Sequence, residues 1–224
     1  MKKKLTVKEI LESKGKKKLT QVYVHTPLEA NACEQSDIDM IVSSENNNFK
    51  FLRESALNTF FTVGLQYGRY LSEYEIIKRS FQLFEMGADA IYCPQSARFI
   101  KAIANEGIPV VGHTGFIPYK LTHYGGFKAY GKNLNEAKKI LKEIHMLQDA
   151  GAFATEIEIV PEEIVEIIIK ETDIFLIGMG SGTICDAQYL FSEDILGYNN
   201  NHIPRHAKIY GNLKKNYAEI KMKS

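Results

Sequence analysis

The feature that most constrains this chain is a repeated alternation. Short apolar runs rich in β-branched residues give way to longer amphipathic segments, and several of those close on glycine. Asp89–Cys93 is followed by the periodic segment Ala97–Glu106 and by Gly107. "IPVVGH", Ile108–His113, is followed by a long polar loop from Thr114 to Lys132, then by periodic Asn135–Ala150 and by Gly151. A short run that is apolar throughout suits a strand buried on both faces, as strands of parallel sheets are. Parallel neighbours require a crossover long enough to return the chain, usually a helix.

The same reading extends along the chain. Leu5–Ser13 predicts a helix with Thr6 as N-cap and Glu9 three residues on. Thr20–His25 predicts the first strand, Leu28–Gln35 a helix, Asp39–Val42 the second strand and Asn58–Val63 the third. Ser72 caps a helix to Met86, Glu75 completes its capping box and Gly87 closes it. "FATEIEIV" (153–160) is the sixth strand, and Pro161 takes the first position of the next helix. "DIFLIGMG" (173–180) and "AQYLFSED" (187–194) are the seventh and eighth strands, and Pro204–Ile220 is a helical tail. Eight strands alternating with helices predict an α/β fold, a single (β/α)8 TIM barrel over residues 1–224 with a short N-terminal helix and a helical tail. The competing arrangement is an open doubly wound sheet. The "NNN" runs at 46–48 and 199–201 read as loops.

Composition narrows the partners. The chain of 224 residues carries 28 basic and 27 acidic residues, a net charge of +1, which gives no drive toward nucleic acid or membrane. No stretch approaches the roughly 18 apolar residues of a membrane span. The three cysteines, Cys33, Cys93 and Cys185, are widely spaced and form no C-x-x-C pair, which points to a reduced, cytoplasmic setting. A soluble protein without a nucleic-acid or membrane partner is therefore expected.

In a barrel the chemistry sits at the C-terminal strand ends. Here those ends are His25, Ser43–Glu45, Gly64, Cys93–Gln95, Gly112–His113, Glu158 and Gly178–Gly182. Glu156 and Glu158 lie two apart and share a face, and Glu158 is nearer the mouth. It reads as a working acid or base, or as a carboxylate bonded to loop amides. His113 alone reads as a core histidine bonded to a carbonyl. "GMGSG" (178–182) fits a phosphate cradle or merely a tight rim turn. Cys93 and Cys185 read as buried thiols. Pro204 interrupts the His202 and His206 pair, and no zinc pattern occurs.

Three longer segments carry a resemblance. "GIPVVGHTGFIPYKLTHYGGFKAYGK" (107–132), "AGAFATEIEIVPEEIVEII" (150–168) and "IGMGSGTICDAQYLFSEDILGYNNNHIP" (177–204) resemble, in order and spacing, the ketopantoate hydroxymethyltransferase family. That resemblance implies a (β/α)8 barrel of the phosphoenolpyruvate mutase/isocitrate lyase superfamily. It implies transfer of a hydroxymethyl group from methylenetetrahydrofolate to 3-methyl-2-oxobutanoate, in pantothenate synthesis. It also implies magnesium dependence and a homo-oligomer, often a decamer. By the same resemblance Glu158 is the base that takes a proton from the ketoacid, and Gly112 and His113 line the substrate site.

The first half departs from the family pattern. The family's second strand ends in "VGDS", with a magnesium-binding aspartate, where this chain has Val42-Ser43-Ser44-Glu45. The third strand's "ADLPF" aspartate position holds Gly64. The fourth strand's "KIEGG", with a substrate-binding lysine and a metal-linked glutamate, is replaced by "YCPQS", which places Tyr92 and Pro94 there. Magnesium ligands are thus missing together, and no metal ligand is assigned. The expectation is a hydroxymethyltransferase-like enzyme acting on a small 2-oxo acid or related carbonyl compound. Glu158 would be the base, with His113, Gly112, Ser44 and Tyr92 around the substrate. The alternatives are a non-catalytic barrel, kept as an oligomeric partner or ligand-binding regulator, and a phosphate-ligand enzyme using the "GMGSG" turn.

Overall fold

The computed structural model describes residues 2–45, 48–200 and 203–223. Asn46, Asn47 and Asn201 of the two asparagine runs, and His202, lie outside the described residues. The chain begins with α1 (Val7–Ser13), β1 (Leu19–Tyr23), α2 (Pro27–Gln35), β2 (Met40–Ser44), α3 (Phe49–Ser55) and β3 (Phe60–Gly64). It continues through α4 (Glu73–Glu85), β4 (Ala90–Tyr92), α5 (Ala97–Asn105) and β5 (Val110–Gly115). A 3₁₀ turn at Pro118–Lys120 and α6 (Leu121–Tyr124) occupy the expected long loop. Then come α7 (Leu134–Asp149), β6 (Ala154–Glu158), α8 (Glu162–Ile168), β7 (Phe175–Met179), β8 (Ala187–Phe191), α9 (Ser192–Ile195) and α10 (Leu213–Lys223).

The eight strands are parallel and close on themselves in the order β1 to β8, with β8 paired to β1. Strand alternation divides the apolar residues into two layers. Met40 and Val42 of β2, Phe60 of β3, Val111 of β5, Phe175 and Ile177 of β7 and Tyr189 of β8 fill the barrel interior. Ile41, Phe61, Val63, Ile91, Val110, Ile157 and Leu176 face the helices. Ile10 of α1 is fully buried against the interior set, so the N-terminal helix plugs the bottom of the barrel. The Thr6–Glu9 capping box holds that helix. Lys14, just past its end, pairs with the buried Asp186 before β8 at 2.9 Å.

Several boundaries differ from the sequence expectation. Helix α3 (Phe49–Ser55) was not among the expected elements, and its N-cap Asn48 makes no side-chain cap bond to the helix. It is held by packing: Phe49 lies edge-on to Phe61 at 5.1 Å, and Arg53 pairs with Asp89 at 2.9 Å. Pro161 is the N-cap of α8, not its first residue. The eighth strand ends at Phe191, and Ser192–Ile195 turns into a helix. The tail is helical only from Leu213.

No helix joins β7 to β8; residues 180–186 make that crossover. They run tight against the outside of β7, where a Cβ on Gly178 would stand 2.6 Å from the Cys185 sulfur and 2.8 Å from its Cβ. Gly178 is therefore a close-approach glycine, and Cys185 is buried and free, as is Cys93. No helix among the described residues is long and apolar enough to cross a membrane. Gly178→Ala should destabilise the fold by about 1–3 kcal/mol, the usual penalty of overpacking. Urea unfolding checks this, and an unchanged midpoint would contradict the tight crossover.

Candidate active site

The C-terminal mouth of the barrel opens into a cavity of about 550 Å³. Its walls combine ends of β1 to β8 with the loops above them. Strand parity points Ser44, Gly64, Tyr92, His113, Glu156 and Glu158 into this space. Gly112 does not join them. It faces outward, where a Cβ would meet Leu147 of α7 at 3.0 Å and Ile100 of α5 at 3.4 Å. Its role is to let those helices approach β5.

At the centre stands the His113 imidazole. Its Nε2 lies 3.2 Å from the Phe116 carbonyl and 3.2 Å from Glu158 Oε2. The Phe116 carbonyl can only accept, so Nε2 carries a hydrogen in either protonation state. On the other side, Nδ1 is 2.6 Å from the Tyr92 hydroxyl and 3.9 Å from Glu156 Oε2. In the neutral ring Tyr92 donates to Nδ1. When Nδ1 is protonated it donates to Tyr92, whose own hydrogen is then released toward other acceptors.

The two acids are held differently. Glu156 pairs in register with His113 across the β5–β6 ladder, and Glu158 with Gly115. Gly115 sits at φ 84°, and a Cβ there would fall 2.5 Å from the Glu158 carbonyl, so only glycine lets β5 close on the end of β6. Directly after Glu158, Ile159 adopts φ 49°. A β-branched residue in the left-handed region is strained. Its flanking bonds hold it there: Ile159 N–H donates to the Met179 carbonyl at 2.9 Å, and its own carbonyl accepts from Tyr130 N–H at 3.0 Å. The next amide, Val160, donates to the Ser181 hydroxyl at 3.0 Å. This turn fixes where the Glu158 carboxyl points.

Burial pushes the Glu156 carboxyl up to about 7, and the charge of Glu158 adds to the shift, while His113 and the nearby Gln21 amide oppose it. Gln21 approaches Glu156 without meeting hydrogen-bond geometry. Burial alone would lower the His113 imidazole, but its bond to Glu158, the charges of Glu156 and Glu158 and the Phe116 carbonyl outweigh it, so its pKa is raised. Tyr92 is held well above the usual phenol range by burial, then by the same two carboxylates. Glu156, an interior acid set deeper than Glu158, was not among the expected site residues. Its shared parity with Glu158 was the available signal.

Much of the remaining wall is aromatic. Tyr23, Phe191 and Tyr189 form successive stacks with centroids 5.1 Å apart. Tyr67 and Tyr119 stack at 4.7 Å, and Tyr119 lines the cavity. The "GMGSG" turn is occupied by the protein itself. Glu162 accepts from Thr183 N–H at 2.7 Å, a Cβ on Gly182 would strike that carboxylate, and a Cβ on Gly180 would strike the His206 ring. Packing explains these glycines.

Magnesium needs hard oxygen ligands, usually one or two carboxylates converging with substrate oxygens. Ser44 and Gly64 bring no carboxylate, and the Tyr92 hydroxyl is engaged by His113. Glu45, the nearest acid to the expected position, is buried away from the cavity, 2.6 Å from Arg79, and accepts from Gln66 N–H at 3.0 Å. Glu156 and Glu158 face opposite nitrogens of one imidazole and do not converge. Among the described residues no group of three His, Cys, Asp or Glu side chains is placed to share an ion. These donors do not fit the metal that the family resemblance implies.

Fold and site together define a (β/α)8 barrel with its titratable groups gathered at the C-terminal mouth. Solved structures agree on the fold alone: the carboxyl transferase domain of Rhizobium etli pyruvate carboxylase aligns over 84% of this chain and 42% of its own, at 10% identity and TM-score 0.61. A structure titled native KDPGal aligns over 92% and 97%, at 14% identity and TM-score 0.52. The family profile described as Ketopantoate hydroxymethyltransferase matches residues 47–221. The 3-methyl-2-oxobutanoate hydroxymethyltransferase of Kosmotoga olearia is 30% identical over 239 residues, 96% of this chain and 90% of that protein. Its namesake in Clostridium botulinum is 35% identical over 80% of this chain and 67% of its own length. The chain belongs to the ketopantoate hydroxymethyltransferase family, a family of transferases.

The raised pKa values of Glu156 and His113 carry a sign for stability. Both mean that the folded state holds protons more tightly than the unfolded chain, so stability falls as pH rises through the window in which they titrate. For Glu156 that window runs from the ordinary 4.5 to about 7. Glu156→Gln removes its share. The variant should gain on the parent between pH 4.5 and 7.5, by on the order of 3 kcal/mol. Urea unfolding at several pH values measures this, and a pH-independent difference would contradict a buried, proton-binding Glu156.

Proposed function

We propose that this barrel is a hydroxymethyltransferase-like enzyme that activates a small carbonyl compound, a 2-oxo acid or a relative of one, with Glu158 as general base. The observation that carries this reading is the contact between Glu158 and His113 at 3.2 Å inside a substrate-sized cavity. Family membership supplies the reaction class, and the relatives are named for the hydroxymethylation of 3-methyl-2-oxobutanoate. Glu158 takes the hydrogen from the carbon next to the carbonyl. The C–H pair moves into a carbon–carbon double bond, and the carbonyl oxygen gains negative charge. Donors held in place stabilise such an oxygen most where water is excluded. The Tyr92 hydroxyl is the donor this chain offers, its hydrogen released when His113 Nδ1–H donates to its oxygen, and Ser44 lines the same space. The enolate pair would then form a bond to a one-carbon unit that water has released from its carrier at the oxidation level of formaldehyde, while the electrons of that unit's carbon–oxygen double bond move to its oxygen, which takes a proton and becomes the hydroxymethyl group. Methylenetetrahydrofolate is the donor that the family resemblance implies.

A second reading is favoured by one observation. Glu45 is sealed against Arg79, and Ser44 and Gly64 stand where the family pattern places acids, as in a barrel released from its ancestral chemistry. In that case the cavity binds a ligand or stands idle while the barrel serves as an oligomeric partner.

Exchange of solvent deuterium into the carbon next to the carbonyl, followed by proton NMR, separates the two. The enzyme reading predicts exchange that persists with a metal chelator and falls roughly 10²–10⁴-fold in Glu158→Gln, the span of general base catalysis. No exchange with any small ketone, amide or oxo acid would support the second reading.

A further inference from the structure

The lining of the cavity selects a charge. Its ionisable side chains include Glu156, Glu158, Glu193 and Asp194, together with the imidazoles of His113 and His206. Among the described lining residues there is no lysine and no arginine. Glu193 is partly answered by His25 at 2.5 Å, and His113 answers one of the two inner acids. Burial disfavours the charged form of the remaining His206 imidazole, so among the described lining residues no lysine, arginine or unpaired cation meets a further negative group. The rest of the wall mixes aromatic and aliphatic side chains with neutral polar ones such as Ser44, Gln66 and Asn199, and none of these brings a positive charge. Burying a carboxylate without a partner is costly, and like charges in a low-dielectric cleft add to that cost. In the family pattern a metal ion and a lysine stand at this mouth, and here Ser44, Gly64 and Tyr92 take their places.

We infer that the ligand of this cavity presents its carbonyl group without a carboxylate: an uncharged ketone, aldehyde, amide or ester in place of an anionic 2-oxo acid. This rests on the reading of the cavity as a carbonyl site and narrows its substrate class. An uncharged ligand leaves the Glu156–His113–Glu158 unit near neutrality. Its carbonyl oxygen finds the Tyr92 hydroxyl, and its apolar part meets the Tyr23, Phe191 and Tyr189 wall.

The test is a matched pair of probes, 3-methyl-2-oxobutanoate and its primary amide, which share a skeleton and differ in charge. Binding to the intact protein is measured by calorimetry at pH 7.5. The amide should bind at least tenfold more tightly, and Glu156→Gln should narrow that ratio. Tighter or equal binding of the anion, or binding of neither, would overturn the inference. Deuterium exchange on the bound compounds keeps the two proposals apart. An anion that binds better and exchanges overturns the charge selection while keeping Glu158 as base. A bound amide that does not exchange overturns the enzyme reading while keeping the charge selection.

Discussion

The imidazole of His113, held between two carboxyl groups and a phenol, is the interaction on which the mouth of this barrel depends. Glu156 and Glu158 would be two acids side by side in a nearly dry interior. His113 separates them, bonds one and faces the other at 3.9 Å. The backbone is shaped around that arrangement. Gly115 brings β5 against the Glu158 carbonyl, and strained Ile159 turns the chain away immediately after the carboxyl. Strain of this kind persists only where its surroundings over-determine it. Here the amide and carbonyl of Ile159 are both bonded, and the following residue is tied to Ser181.

The same unit explains how the mouth holds together without the acids of the family pattern. Glu45, one residue past the expected aspartate position, turns outward to Arg79 and helps to join the end of β2 to α4. The interior holds Glu156, with burial raising its pKa and His113 opposing that shift. An acid–imidazole cluster thus lines the same cavity as the positions where the family pattern places a metal centre. A network of this sort is stable only when its members are satisfied together.

Much of the fold was legible in the sequence because local and global signals agreed. Thr6–Glu9 and Ser72–Glu75 announced helix starts that form as capping boxes, and glycines after α4, α5 and α7 announced their ends. Helix α3 was not legible, since tertiary packing rather than a cap holds it. The β7–β8 crossover lacks the helix that alternation implies, and the close approach of Cys185 to Gly178 shows how a short irregular path fits against β7. Of the site, Glu158, His113, Ser44 and Tyr92 were marked by strand-end position and resemblance, and they do share one cavity. Gly112 was marked by its neighbour and faces the other way, as strand parity requires. Glu156 shares the parity of Glu158, but its partner His113 lies on the neighbouring strand, and spacing within one strand does not show that pairing. The backbone angle at Ile159 has no signature in side-chain type.

The pairing of His113 with Glu158 is what the mouth rests on. A titration of the imidazole by nitrogen-15 NMR, assigned with His113→Gln, reads it directly. The His113 ring should titrate above the ordinary 6.5, with a lower pKa in Glu158→Gln. A neutral ring titrating below 6.5, unmoved by loss of Glu158, would contradict it.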